Sequence, residues 1–183
     1  MTAPLILLGL SLTALAAGFA LPGLSDLLLL AIPCTLASLW LLLRAALGRD
    51  RQKWIVVDGS NVLHWNGNVP QLETLQEVLA QLIRHGYTPG VVFDANAGYL
   101  ISGRYLNDRA LARMLGLPAD RVMVVDKGTP ADPTVLAAAR DLGARIVSND
   151  RYRDWADGHP EIQEPGWIVR GDYRSGALWM DLS

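Results

Sequence analysis

Cysteine is nearly absent from this sequence of 183 residues. Its one cysteine, Cys34, excludes an intramolecular disulfide and any zinc site built from cysteines. The three histidines show no metal-ligand spacing, and His85 ends a predicted helix, where it would meet the helix dipole favourably. A structural metal site made of cysteine and histidine is therefore excluded.

Charge is equally scarce at the N-terminus, where Asp26 is the single charged side chain among the first 43 residues. From Arg44 onward the sequence carries all 16 Lys and Arg and every other acidic residue. The two signs nearly cancel there, so no strong overall field draws this part onto nucleic acid. Any contact with RNA or DNA must be local.

Two uncharged runs, residues 3–21 and 27–43, approach the ~20 residues that cross a bilayer as a helix. The turn signal at 22–26 joins them so tightly that two helices there must be antiparallel. Basic residues follow the second run, and none precedes or separates the runs, so the positive-inside rule places the soluble part in the cytoplasm. These residues are Arg44, Arg49, Arg51 and Lys53.

The sequence thus predicts a transmembrane hairpin over 1–43, a basic linker over 44–53 and a globular domain over 54–183, in a multi-pass protein of the inner (cytoplasmic) membrane. One alternative is a cleaved signal peptide, because small residues cluster near Ala16. The first apolar run, however, lacks the basic N-terminal region of a signal peptide, and a second apolar run follows it. A single interfacial helix is the other alternative.

The globular part alternates short β-branched runs with stretches of helical periodicity. Continuous apolar strands separated by helices indicate a parallel sheet covered on both faces, and hence an α/β fold. The C-terminal segment changes to a hairpin or edge strands, at 167–170 and 177–180 around a turn at 172–176. The predicted strands are 54–57, 90–93, 122–125 and 145–147, and the predicted helices are 70–85, 102–115 and 133–142.

An acidic residue follows each of the four predicted strands, and a fifth begins the last helix. In a parallel sheet the carboxyl ends of the strands meet at one edge. Carboxylates gathered there raise one another's pKa unless a cation lies among them. Mg²⁺ or Mn²⁺ would meet that need and could activate water for phosphodiester hydrolysis. The residues are Asp58, Asp94, Asp126, Asp150 and Asp132.

Each acid also has a simpler interpretation. Asp58 suits a turn before Gly59, and Asp132 suits a helix N-cap followed by proline. Asp126 suits a turn or an ion pair with Lys127, and Asp154 suits a surface charge.

Two segments carry a family resemblance: Val56-Val-Asp-Gly-Ser-Asn-Val62 with Gly67-Asn68, and Ile146-Val-Ser-Asn-Asp-Arg-Tyr-Arg-Asp154. Together they resemble the NYN branch of the PIN-like nucleases, in particular the regnase-type endoribonuclease domains of CCCH zinc-finger proteins. The likeness covers about residues 54–155, whereas the apolar hairpin lies outside it and this sequence has no CCCH finger. It implies a PIN-like three-layer fold with a central, mostly parallel sheet.

The resemblance also implies roles. Asp58 would be the central metal-binding aspartate, with Asn61 orienting water or ligand and Asp150 completing the cluster. Asp132 matches an acid at the start of the next helix, but Ala131 stands where regnase-type domains commonly have a second acid. Asp94 resembles the second-strand acid of many NYN domains and is a further predicted ligand. Supporting positions would be Ser60, Ser148, Asn149, Asp126 and Asp154.

The implied activity is divalent-metal-dependent cleavage of single-stranded or looped RNA, and the preference for RNA over DNA rests on the resemblance alone. Arginines near the predicted edge are candidates for backbone contacts, with a solvated surface as the alternative. They are Arg104, Arg151 and Arg153.

Two other functions stay open. A non-catalytic RNA-binding or scaffold module is favoured by Ala131 and by the near-neutral charge. A small-molecule phosphohydrolase with Asp58 as nucleophile is disfavoured, because the second aspartate that such enzymes carry two positions later is replaced by Ser60. The apolar hairpin would offer an interface for a second copy or for another membrane protein.

Overall fold

A computed structural model describes residues 2–21, 23–47 and 52–182, without the side chains of 2–4 and 44–47. The chain divides into two compact units, Met1–Gln52 and Lys53–Ser183. The basic side chains of 44–51 and the proline of the predicted turn lie outside the described part, so the charge asymmetry stays a sequence argument.

The first unit consists of α1 (Thr2–Ala20), a single 3₁₀ turn (Ser25–Leu27) and α2 (Leu28–Leu47), and the two helices pack against each other. Its buried positions are occupied by small residues, whereas leucines and other large apolar residues point outward. Gly18 lies at the contact, where a Cβ would be 2.8 Å from the side chain of Leu28. The small buried residues are Ser11, Gly18, Ala31 and Ser38.

By length and composition, one stretch among the described residues, Ser25–Leu43, could cross a membrane. The apolar part of α1, Leu5–Ala20, is shorter. The predicted two-span hairpin therefore stays a prediction.

The second unit is built on a five-stranded parallel sheet with the order β3-β2-β1-β4-β5. The central strand β1 is apolar on both faces: Ile55, Val56 and Val57 are each at most 1% exposed. The predicted α/β fold with a central parallel sheet is confirmed. The strands are β1 Lys53–Asp58, β2 Tyr87–Phe93, β3 Val122–Val124, β4 Arg145–Val147 and β5 Ile168–Val169.

Helices cover both faces of this sheet. Alternate residues of β1 point to opposite faces, so Ile55 and Val57 pack in one core with leucines of α4 and α6, while Val56 packs in a second core with α7. The result is three layers. The helices are α3 Gly59–Val62, α4 Leu72–Arg84, α5 Ala97–Ser102, α6 Asp108–Leu115 and α7 Asp132–Leu142.

The prediction of one helix over 102–115 is wrong. Gly103 adopts a left-handed conformation with φ 72° and ends α5. Asn107 then caps a new helix, its side chain accepting a hydrogen bond from the N–H of Ala110. The periodicity of α6 is genuine, but it begins six residues later than predicted.

The C-terminal segment contains both of the predicted alternatives. Ile168–Val169 joins the sheet edge as β5, and a hairpin of β6 (Gly171–Arg174) and β7 (Ala177–Met180) follows. The turn predicted over 172–176 is confined to Ser175 and Gly176, both with positive φ, as tight hairpin turns require.

Candidate active site

Asp58, the last residue of β1, is a buried carboxylate at which three segments meet. Its Oδ1 accepts a hydrogen bond from the N–H of Asn61 at 3.1 Å. Its Oδ2 accepts from the hydroxyls of Ser148 at 3.0 Å and Tyr152 at 2.9 Å. Burial raises the pKa of Asp58, while these donors act in the opposite direction. Asp58 therefore ties β1 to the loop after β4.

That loop, residues 148–152, is wound around the Asp58 carboxylate. The hydroxyl of Ser148 accepts from the N–H of Asp150 at 3.0 Å, and Oδ1 of Asp150 accepts from the N–H of Tyr152 at 2.8 Å. Tyr152 has φ 47°, a conformation that bulky residues rarely adopt, and is 1% exposed. A tyrosine accepts this conformation because its ring fills the core and its hydroxyl reaches Asp58.

Asn61 fastens the same loop from α3. Its Oδ1 accepts from the indole N–H of Trp65 and from the N–H of Asn149, both at 2.9 Å. The side chain of Asn149 in turn donates to the carbonyl oxygen of Gly171 at 2.7 Å. Since the Asn61 oxygen is occupied by protein donors, only its amide nitrogen is left to contact water or a ligand.

Asp132, the first residue of α7, is half-buried among other acids. Burial raises its pKa most, and the charges of Asp150, Asp94 and Asp154 raise it further, against a side-chain hydrogen bond from Trp155. The charge of Asp132 also raises the pKa of Asp58. The structure therefore brings four acids into one group, defined here as the acidic cluster (Asp94, Asp132, Asp150 and Asp154), with Asp58 beneath it.

Asp94 is held in the cluster by its backbone and its side chain. Its N–H donates to the hydroxyl of Ser60 at 2.8 Å, and its Oδ1 accepts from the N–H of Ala131 at 3.2 Å. Ala131 itself is 3% exposed and packs in the core beside α7. The position at which the resemblance predicts a second acid is thus part of the apolar core.

Within residues 2–21, 23–47 and 52–182, no three carboxylate, histidine or cysteine side chains lie close enough together to hold an ion as placed. The acids repel one another electrostatically without converging on one point. A metal site made of several of them stays a prediction.

Asp126 lies beside the cluster. It is exposed in the turn after β3 and lines, with Asp94, a cleft of about 700 Å³ at the carboxyl ends of β2 and β3. The predicted RNA contacts Arg104, Arg151 and Arg153 are also exposed. Arg104 lies between α5 and α6, and the other two follow Asp150.

The sequence assigned no role to Tyr152 and Trp65, which donate hydrogen bonds to Asp58 and Asn61 respectively. Nor did it assign one to Trp155, whose side chain acts to lower the pKa of Asp132 against the effect of burial. One signal was present: each is a large aromatic within or near a polar segment that carries the family motif. Nothing in the sequence says which acid or amide each aromatic meets.

The fold and site define a class: an α/β protein of the PIN-like nuclease type, with acids at the carboxyl edge of a parallel sheet. The model of the Zc3h12a-like ribonuclease NYN domain matches residues 51–166. The chain belongs to this family, and most of its second unit is a ribonuclease NYN domain of this type.

Two solved structures of nuclear protein-only RNase P 2 (PRORP2) from Arabidopsis thaliana share the fold. One has a TM-score of 0.53 at 19% identity, covering 69% of this chain and 29% of the other; the second has 0.56 at 18%, covering 78% and 32%. This chain therefore spans about a third of their length. No curated protein matches it.

Proposed function

We propose that this protein is a divalent-metal-dependent endoribonuclease held at the cytoplasmic face of a membrane by residues 3–43. The observation that carries the proposal is the acidic cluster around Asp132, at the carboxyl edge of a ribonuclease fold. At neutral pH these acids repel one another, which favours binding of a cation among them.

The donor chemistry of the cluster fits Mg²⁺ or Mn²⁺. Mg²⁺ commonly binds one or two carboxylates, completing its sphere with waters and substrate phosphate. A site with fewer than three protein ligands is therefore adequate. Asp132 and Asp150 would hold the ion, because Asp150 is the acid that raises the pKa of Asp132 most. The bound metal would activate a water and stabilise charge at phosphorus.

The chain's own residues would position these ligands. Ser148 and Tyr152 hold Asp150 in place through Asp58, and Asp94 fixes the backbone before Asp132. Asp132 begins an 11-residue helix whose N–H groups favour an anion such as the substrate phosphate. Asp58 would then position the neighbouring ligands and could also bind the ion itself, as the sequence predicts. Its Oδ1 is the more available oxygen, because it accepts one hydrogen bond whereas Oδ2 accepts two.

The membrane part of the proposal is supported by the first unit. Only 11% of the Ser25–Leu43 span is buried, which favours a membrane span over the core helix of a soluble domain. Small residues at the helix contact and large apolar residues outside are the reverse of a water-soluble helix pair and typical of membrane helices. Hydroxyls within the helices bond to carbonyls of the preceding turn, as Thr35 does to Ala31 at 2.7 Å.

The test uses the full-length chain in detergent micelles with a labelled single-stranded RNA. We expect internal cleavage with Mn²⁺ or Mg²⁺, no cleavage in EDTA, and loss of at least 100-fold in Asp132→Asn and Asp150→Asn, in keeping with electrostatic groups of this kind. The matched control is Asp141→Asn, an exposed acid at the other end of α7, which should cleave normally.

A second candidate is an RNA-binding module without activity. It is favoured by the buried Ala131, and by the fact that no three acids in the described part of the chain lie close enough together to hold one ion. Binding of the RNA without cleavage under every metal tested would establish it. Hydrolysis of a phosphomonoester but not RNA would instead establish the phosphohydrolase.

A further inference from the structure

The cleft at the carboxyl ends of β2 and β3 adjoins the acidic cluster, and the proposed cleavage reaction gives it no role. Its volume of about 700 Å³ lies within the range of ~300–1,000 Å³ found for small-ligand pockets. Asp94 lines it and also accepts the hydrogen bond from Ala131, the residue before Asp132. Asp94 therefore belongs both to the lining of the cleft and to the acidic cluster.

Two tyrosines line the cleft, and neither belongs to the core. Tyr99 is 57% exposed and Tyr105 is 56% exposed. An exposed ring beside a cleft offers a flat face on which a nucleobase can stack, whatever its identity. Two such rings at one cleft are therefore a feature that folding does not explain.

The backbones that carry both rings are fixed relative to each other. A Cβ on Gly98 would lie 2.4 Å from the backbone nitrogen of Leu106, so α5 and the following loop are in direct contact at this glycine. The hydroxyl of Ser102 adds a bond to the carbonyl of Gly98 at 2.9 Å, and Leu106 is 6% exposed. A platform formed in advance loses little entropy when a ligand binds.

The rest of the cleft has the polar groups that a nucleotide needs. Asn96 and Thr129 offer an amide and a hydroxyl for base edges, and Lys127, one of two lysines in the chain, offers an ammonium for a phosphate. The turn that carries Lys127 is closed by a bond from the N–H of Thr129 to the carbonyl of Asp126 at 3.0 Å.

We propose that this cleft binds one unpaired nucleotide of the RNA beside the phosphate to be cut, with its base against Tyr99 and Tyr105 and its phosphate near Lys127. The proposal rests on the proposed nuclease function and deepens it. A base in a duplex is already stacked and cannot enter, so the cleft selects unpaired RNA.

The test compares full-length wild-type chain with Tyr99→Ala, Tyr105→Ala and their Phe counterparts in detergent micelles. Ile83→Ala is the control, since Ile83 is 52% exposed on α4 and does not line the cleft. Fluorescence anisotropy in EDTA measures affinity for a labelled single strand and for the same strand in a duplex. Cleavage with Mn²⁺ gives KM and kcat, and a 5-bromouridine strand reports photochemical cross-links to the tyrosines.

We expect each Ala variant to lower single-strand affinity and raise KM about tenfold, as loss of one stacked base implies. The Phe variants and Ile83→Ala should keep wild-type affinity, and the cross-links should fall on Tyr99 or Tyr105. Normal cleavage with unchanged KM in the Ala variants would contradict nucleotide binding in the cleft, but not the proposed nuclease activity. Binding that depends on the tyrosines, without any cleavage, would support nucleotide binding in the cleft and contradict the proposed nuclease activity. Equal affinity for single strand and duplex also overturns the cleft.

Discussion

The hydroxyl of Tyr152 donates to Oδ2 of Asp58 at 2.9 Å, across 94 residues of sequence and with both side chains buried. Burial and the Asp58 charge raise the pKa of Tyr152, so it stays a neutral donor. This bond holds the loop after β4 against the end of β1. The proposed metal ligand Asp150 is therefore positioned by a residue that would not touch the metal.

Tyr152→Phe should remove this donor and leave a buried carboxylate oxygen with one partner fewer. Loss of a buried hydrogen bond to a charged group costs about 1–3 kcal/mol. We expect the free energy of unfolding to fall by that amount in urea titrations followed by Trp fluorescence. Tyr173→Phe is the control, because the hydrogen bond from Tyr173 to Glu77 is exposed to solvent. Equal losses in the two variants would contradict the role of the buried pair.

Asn61→Ala should be more harmful than Asn61→Asp, contrary to what charge alone suggests. The Asn61 oxygen accepts from Trp65 and from the backbone of Asn149; Ala leaves both donors unpaired, whereas Asp keeps the oxygen. We expect Ala to cost about 2 kcal/mol and to speed hydrogen exchange at the Asn149 amide. The idea is wrong if that amide exchanges equally in both variants.

Asp132→Asn should stabilise the metal-free protein while abolishing activity. The pKa of Asp132 is raised in the folded state, so its contribution is most favourable below the unfolded value and is lost as pH rises through the folded value. At pH 7 the ionised group costs stability, and Asn removes that cost. Thermal melts in EDTA from pH 4 to 8 should show a higher Tm for the variant, growing with pH.

Added Mn²⁺ should raise the Tm of the wild type above that of Asp132→Asn. The ion would neutralise the acidic cluster in the wild type, and a ligand of the folded state raises its stability. Asp141→Asn is again the control and should follow the wild type throughout. A wild-type Tm that does not respond to metal would argue against the cation site.

Cys34 reports whether α2 lies in a bilayer. It is the only cysteine and is exposed on α2, yet it should resist a water-soluble maleimide in intact membranes and react once detergent and denaturant are added. Glu164→Cys on a Cys34→Ser background supplies an exposed control site in the second unit. Equal labelling rates at the two sites in membranes would exclude the anchor, and a shortened mature chain by mass spectrometry would identify a signal peptide.

The α/β fold could be predicted from sequence because parallel strands buried on both faces must be continuously apolar, as Ile55–Val57 is. The break at Gly103 and the pairing of Ile168 with β4 could not. A glycine is tolerated inside a helix as well as at its end, and the apolar run at 167–170 suits an edge strand of the sheet and a strand of the terminal hairpin equally well. The terminal turn was predicted over too wide a range for a similar reason, since a serine side chain gives no indication that Ser175 adopts a positive φ.

By itself the sequence determined the apolar N-terminal part, the order of strands and helices, and the placing of acids after strand ends, because all three follow from local periodicity. Tertiary structure alone decided the surroundings of each acid. The charges of Asp150, Asp94 and Asp154 raise the pKa of Asp132, which burial raises most. Asp58 is buried and bonded to Tyr152 and Ser148, and Asp126 lines a cleft with Tyr99 and Tyr105. The pKa of a carboxylate and the groups that it can contact depend on its burial and on its distance from other groups. Burial and distance both arise from contacts between residues far apart in the chain.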